Sequence, residues 1–176
     1  MTHSIDWSFE DGDWQTCASG SGGWQAAGGF AATTGTGAPG SRILYRDVRL
    51  DAPGVLHLTL FYDNNARELA SPASLDCDRC LPNQQFRVEI MDPAAPIDSL
   101  APRDVLATVF RTERGDRDRI DPLEIAVDLS PWTGRTIRLR CAQVDNRGPL
   151  RAAVGELRLE EVGLQAVGRD GGGMLY

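Results

Sequence analysis

Two short stretches combine reactive or polar residue types at suggestive spacing. In the first, Cys77-Asp-Arg-Cys80, two thiols stand three positions apart, a spacing that suits a metal site or a redox pair. Zinc needs four ligands, and the chain supplies no second cysteine pair and only two histidines, His3 and His57. The motif therefore reads as a loop disulfide or as two free thiols, and Cys17 has no obvious partner. The second stretch, "AVDLSPWTGRTIRLRCAQVDNRG", joins two alternating apolar runs through a Ser-Pro-Trp-Thr-Gly turn and ends in Asp145, Asn146 and Gly148. Alternation puts Gln143 and Asp145 on the face of Leu139 and Cys141, so the polar end reads first as a strand end and second as a ligand contact. Cys141 on that apolar face reads as a small buried thiol.

Catalytic patterns are missing. Neither histidine accompanies a nucleophile motif, and no G-x-S-x-G, phosphate-binding loop or dinucleotide fingerprint occurs. With 25 acidic residues, carboxylate pairs are available for glycoside hydrolysis but have no positive support. The chain reads as non-enzymatic.

The elements that must position these residues are strands. Apolar/polar alternation recurs at short intervals between Gly, Pro, Asn and Asp clusters, and no stretch of helical length shows a 3.6-residue period. Strands are predicted at Ser4 to Glu10, Arg42 to Leu50, Val55 to Tyr62, Gln85 to Met91, Val105 to Arg111, Leu123 to Leu129, Thr136 to Val144 and Ala153 to Val162. In "VLHLTLFY", Leu56, Leu58, Leu60 and Tyr62 share one face, while His57 and Phe61 share the other and would line a sheet surface. The economical architecture is all-β: a two-sheet antiparallel β-sandwich, or jelly roll, of about eight strands over residues 1–162.

Three segments interrupt the rhythm. Ala18 to Ser41 is rich in Gly, Ala, Ser and Thr and predicts a long loop or irregular edge around Trp24 and Phe30. Asp63 to Gln84 is far longer than a tight hairpin needs and should project. Residues 163–176 form a Gly-rich C-terminal arm tipped by Met174, Leu175 and Tyr176, either a loose terminus or an arm that docks on another subunit.

Charge narrows the partners. The formal net charge is −7, and all 18 basic residues are arginines. An acidic chain repels phosphate backbones, which argues against nucleic acid. No apolar run approaches the roughly 20 residues of a bilayer-spanning helix, so membrane insertion is not expected. The opening "MTHSIDWSFE" lacks the basic start and apolar middle of a secretion signal. An extracellular or particle-associated (virion) location is therefore expected only for a mature fragment or for a chain released by another route, such as assembly into a particle.

The motifs "WSFEDGDW", "LFYDNN", "VDLSPWTGRTIRLRCAQVDN" and "VGELRL", in this order, resemble the galactose-binding-domain-like jelly rolls, which include many carbohydrate-binding modules. The resemblance runs from about Ile5 to Val162. It implies a non-catalytic binding module for a glycan or another polar ligand. It also implies a structural calcium ion tying the first strand to the last, for which Glu10, Asp13 and Glu156 are the candidate ligands, although Gly155 and Glu156 stand where such modules often carry two aspartates. Sugar recognition in such modules uses exposed aromatic faces flanked by polar side chains, so Trp24 is the candidate platform and Tyr62, Asp63, Asn64, Asp145 and Asn146 are the candidate rim. The alternative is a structural or decoration subunit of a virion, fibre or tail, assembling with like or unlike chains through 163–176.

Overall fold

The computed structural model describes residues 2–78 and 80–163. It is an all-β sandwich of two antiparallel sheets. The first sheet runs in the order β3 (Gly23–Ala27), β4 (Phe30–Thr34), β11 (Leu150–Val162), β6 (Gly54–Asn64), β9 (Arg119–Asp128), and β1 (Thr2–Asp6) joins it by pairing with β11. The second runs β2 (Gln15–Gly20), β5 (Gly40–Arg49), β10 (Thr136–Asp145), β7 (Gln84–Met91), β8 (Val105–Arg111).

The alternating rows behave as their spacing requires. Leu56, Leu58, Leu60 and Tyr62 of β6 point inward with Val154 and Leu159 of β11, and meet Phe86, Val88 and Ile90 of β7 and Leu139 and Cys141 of β10. Burying each such leucine stabilises the fold by about 1.5–3 kcal/mol. This inter-sheet core holds the molecule together.

Among the described residues eleven strands form rather than about eight. The additional ones arise in and beside the glycine-rich stretch expected as a loop or irregular edge: β2 and β3 are edge strands, and β3 and β4 make a hairpin. Ala27 pairs with Phe30 across the two-residue turn Gly28-Gly29, whose φ values of 60° and 82° are those of the mirror-image turn that suits hairpin twist and favours glycine. β1 ends at Asp6, before the expected Glu10, because the chain there leaves one sheet for the other.

The segment between β6 and β7 does not project as expected. It folds back through an Ala70–Gln84 bridge and buries Leu69 and Leu75. Leu75, Cys77, Ile97 and Leu100 cover Ile43, Ala142 and Val144, so the second sheet's outer face is roofed by loops. The first sheet's outer face is open, its residues His57, Phe61, Ala126 and Arg158 being half-buried or exposed. The expected C-terminal arm lies, from residue 164 onward, outside the described residues.

Candidate binding cleft

Of the six residues expected to touch a ligand, five are buried and committed to the protein itself. Trp24 is a core anchor, not a platform: β3 turns it inward, its Nε1 donates to the Arg42 carbonyl at 3.0 Å, and its ring lies 6.3 Å from that of Phe86. Tyr62 is 2% exposed and donates its hydroxyl to the Arg117 carbonyl. Burial pushes its phenol above the usual range, with Asp116 and Asp118 adding to the shift. Asn64 donates to Asp118 Oδ1 at 3.1 Å and accepts from Gln84 Nε2 at 3.0 Å.

Asp145 is 1% exposed and plugs one end of the core. Its Oδ1 accepts from Arg42 Nη1 at 2.8 Å and its Oδ2 from the Leu150 amide at 3.3 Å. The same guanidinium donates to Gln143 Oε1 and to the carbonyls of Gly35 and Ala38. Burial raises the Asp145 carboxyl above its ordinary value, against the opposing pull of Arg42 and the Leu150 amide. Asn146 donates to the carbonyls of Asp78 and Leu81 and accepts from the Asn83 amide, so it clamps the cysteine loop. The polar end of β10 is thus a structural plug rather than a rim. Asp63 is half-buried beside Arg119, at 3.9 Å.

The expected calcium ligands do not come together. Glu10 is exposed, Asp13 pairs with Arg46 at 2.8 Å, and Glu156 accepts from Thr59 Oγ1 at 3.0 Å. Among the described residues no group of three His, Cys, Asp or Glu side chains is placed to hold a metal ion. The four cysteines are free thiols, and Cys77 Sγ reaches the Ser19 carbonyl at 3.7 Å.

A different place on the open face has the shape of a site. Along one edge, β11 pairs with β4 at residues 153–155 and with β1 at residues 158–162. Between these partners the register with β6 shifts, and Glu156 takes φ 51°, a left-handed conformation uncommon for a residue with a side chain. The bulge opens a cleft of about 530 Å³, within the range of small-ligand sites. His57 and Thr59 of β6 and Glu124 of β9 line its floor, and Asp6 closes it from the end of β1.

Phe30 forms the opposite wall. Its ring lies against Gly155, where a Cβ would come within 2.3 Å of Cδ1, and it remains 36% exposed. Glycine in the middle of β11 therefore lets an aromatic ring lie close on the strand. Arg158 on the same rim is held by Glu160 at 3.1 Å, and His57 Nε2 is 3.4 Å from the other oxygen of Glu160. The cleft thus offers the Phe30 ring face, the carboxylates of Asp6, Glu124 and Glu156, the hydroxyls of Ser8 and Thr59, the His57 imidazole and the Arg158 guanidinium. Alternation in "VLHLTLFY" puts His57 on this face; Glu156, a candidate calcium ligand by resemblance, lines the cleft instead, and Phe30, expected only in an irregular edge, forms its wall. The Phe30 and Gly155 contact joins remote parts of the chain, and no local pattern in the sequence marks it.

No protein-family model and no curated protein sequence matches the chain. Solved structures do. The K1 cleaved adhesin domain of Lys-gingipain from Porphyromonas gingivalis W83 superposes with a TM-score of 0.54 at 14% identity, covering 92% of this chain and 99% of that one. The K3 cleaved adhesin domain of the same protein gives 0.50 at 10% identity, covering 88% and 97%. A carbohydrate-binding module of family 29 gives 0.47 at 11% identity, covering 91% and 89%. The likeness is one of fold: a two-sheet β-sandwich resembling those of the two adhesin domains.

Proposed function

We propose that this protein is a non-catalytic glycan-binding module whose ligand lies in the cleft at the β11 bulge. The observation that carries the reading is the Phe30 ring, held on Gly155 at the edge of a polar cleft on the open sheet face. A pyranose stacks its C–H face on such a ring, and its hydroxyls donate to carboxylates. The adhesin fold supports a binding role without supplying the ligand. Charge selects the class of sugar. Asp6, Glu124 and Glu156 face the ligand, while the nearby cation Arg158 is engaged by Glu160, so neutral or amine-bearing oligosaccharides are accepted and uronates repelled.

A surface glycan as ligand would put the protein outside the producing cell or on a particle. Residues 164–176, through which an assembly role would act, lie outside the described residues. The test is a glycan array spanning neutral, amino and uronic oligosaccharides, followed by calorimetry on the hits. Binding with Kd between about 1 μM and 1 mM is expected, corresponding to about −8 to −4 kcal/mol. Folded protein that binds nothing on the array or at millimolar ligand would refute the proposal.

A further inference from the structure

Residues 7–14 carry the chain from β1 in one sheet to β2 in the other, and they close one end of the sandwich. Trp7 and Phe9 are buried there, and the Phe9 and Trp14 rings pack at 4.9 Å. Two tight turns shape the segment: the Glu10 amide donates to Ser8 Oγ at 3.1 Å and the Asp13 amide to Asp11 Oδ1 at 3.0 Å. Both aspartates then meet one residue of β5. Arg46 Nη1 donates to Asp11 Oδ2 at 3.0 Å and Nη2 to Asp13 Oδ2 at 2.8 Å. The guanidinium carbon also lies 5.4 Å from the Trp7 ring and 5.9 Å from the Trp14 ring. The Arg46 side chain is 15% exposed and rests on the two indole rings, while its partners Asp11 and Asp13 reach toward solvent.

We propose that Arg46 is the cation that locks this crossover, in place of the calcium ion expected at the opening turn, and that stability of the fold is consequently independent of divalent metal. Calcium seeks six to eight oxygens. Here two carboxylates of the turn are already neutralised, and the fixed guanidinium repels a second cation.

The test uses the full chain, dialysed exhaustively against EGTA, with melting followed by circular dichroism in millimolar CaCl2 and in NaCl of matched ionic strength. Equal melting temperatures are expected. Arg46→Met, which keeps the aliphatic stem and removes the charge, should lower Tm by about 4–8 °C, and Arg46→Lys by less. A calcium-specific rise in the wild-type Tm, one equivalent of calcium retained after dialysis, or an unchanged Tm for Arg46→Met would each overturn the proposal. Should Arg46→Met not fold, Arg46→Lys and the wild-type calcium comparison decide.

Discussion

Replacing Asp145 with alanine separates a structural plug from a ligand rim. Arg42 and Asp145 are both almost wholly buried, and Arg42 Nε has no hydrogen-bond partner even with Asp145 present. Removing the carboxylate leaves a buried guanidinium facing the neutral acceptors Gln143 Oε1 and the carbonyls of Gly35 and Ala38. Breaking a buried pair from one side costs about 3–5 kcal/mol, a large part of the roughly 5–15 kcal/mol that stabilises a domain. At about 2–4 °C per kcal/mol for a chain of this size, Asp145→Ala should lower Tm by about 6–20 °C. Asp63→Ala, which removes only a half-exposed pair at 3.9 Å, should change stability by less than about 1 kcal/mol. The double variant Arg42→Met with Asp145→Leu should recover much of the loss, since it leaves no unpaired charge. Urea unfolding followed by tryptophan fluorescence, together with thermal melts, measures all four. The reasoning fails if Asp145→Ala melts within a degree of wild type while losing affinity for ligand.

Other consequences follow from the same contacts. Burial pushes the Cys141 thiol up to about 12, so a thiol reagent at neutral pH should label the exposed Cys17 first, Cys80 more slowly because the hydrogen bond and charge of Asp78 raise its thiol, and Cys141 only after unfolding, which mass spectrometry reads directly. Phe30→Ala should weaken glycan binding at least about tenfold, or about 1.4 kcal/mol, with little change in Tm because the ring is partly exposed. Gly155→Ala should weaken binding through the displaced ring, since its Cβ would occupy the ring's place; calorimetry and melts on the two variants check both statements.

The sheets were legible where large apolar residues alternate with polar ones. The Leu56, Leu58, Leu60 row and its Phe86, Val88, Ile90 partner state their faces directly, and both are core. The hairpin of β3 and β4 was not legible because its alternation is carried mostly by Ala, Thr and Gly, whose sizes give little contrast between faces. Trp24, Asn64 and Asp145 misled for a different reason. An aromatic or polar residue near the end of a sandwich has the same local pattern whether it plugs the core or faces solvent, and the deciding partner is remote: Arg42 lies 103 positions from Asp145. The cleft is equally non-local, since Thr59 and Glu156 meet across 97 positions at a bulge that no short motif announces.

The proposed glycan occupies the cleft beside Phe30. The most direct test of that placement is a nuclear magnetic resonance titration of the isotope-labelled chain with an oligosaccharide that scores on the array. Saturable amide shifts are expected, concentrated at Gly28, Gly29, Phe30, His57, Glu156 and Arg158. Shifts centred instead on residues 36–39 and 145–148, or no saturable shift at millimolar ligand, would contradict it.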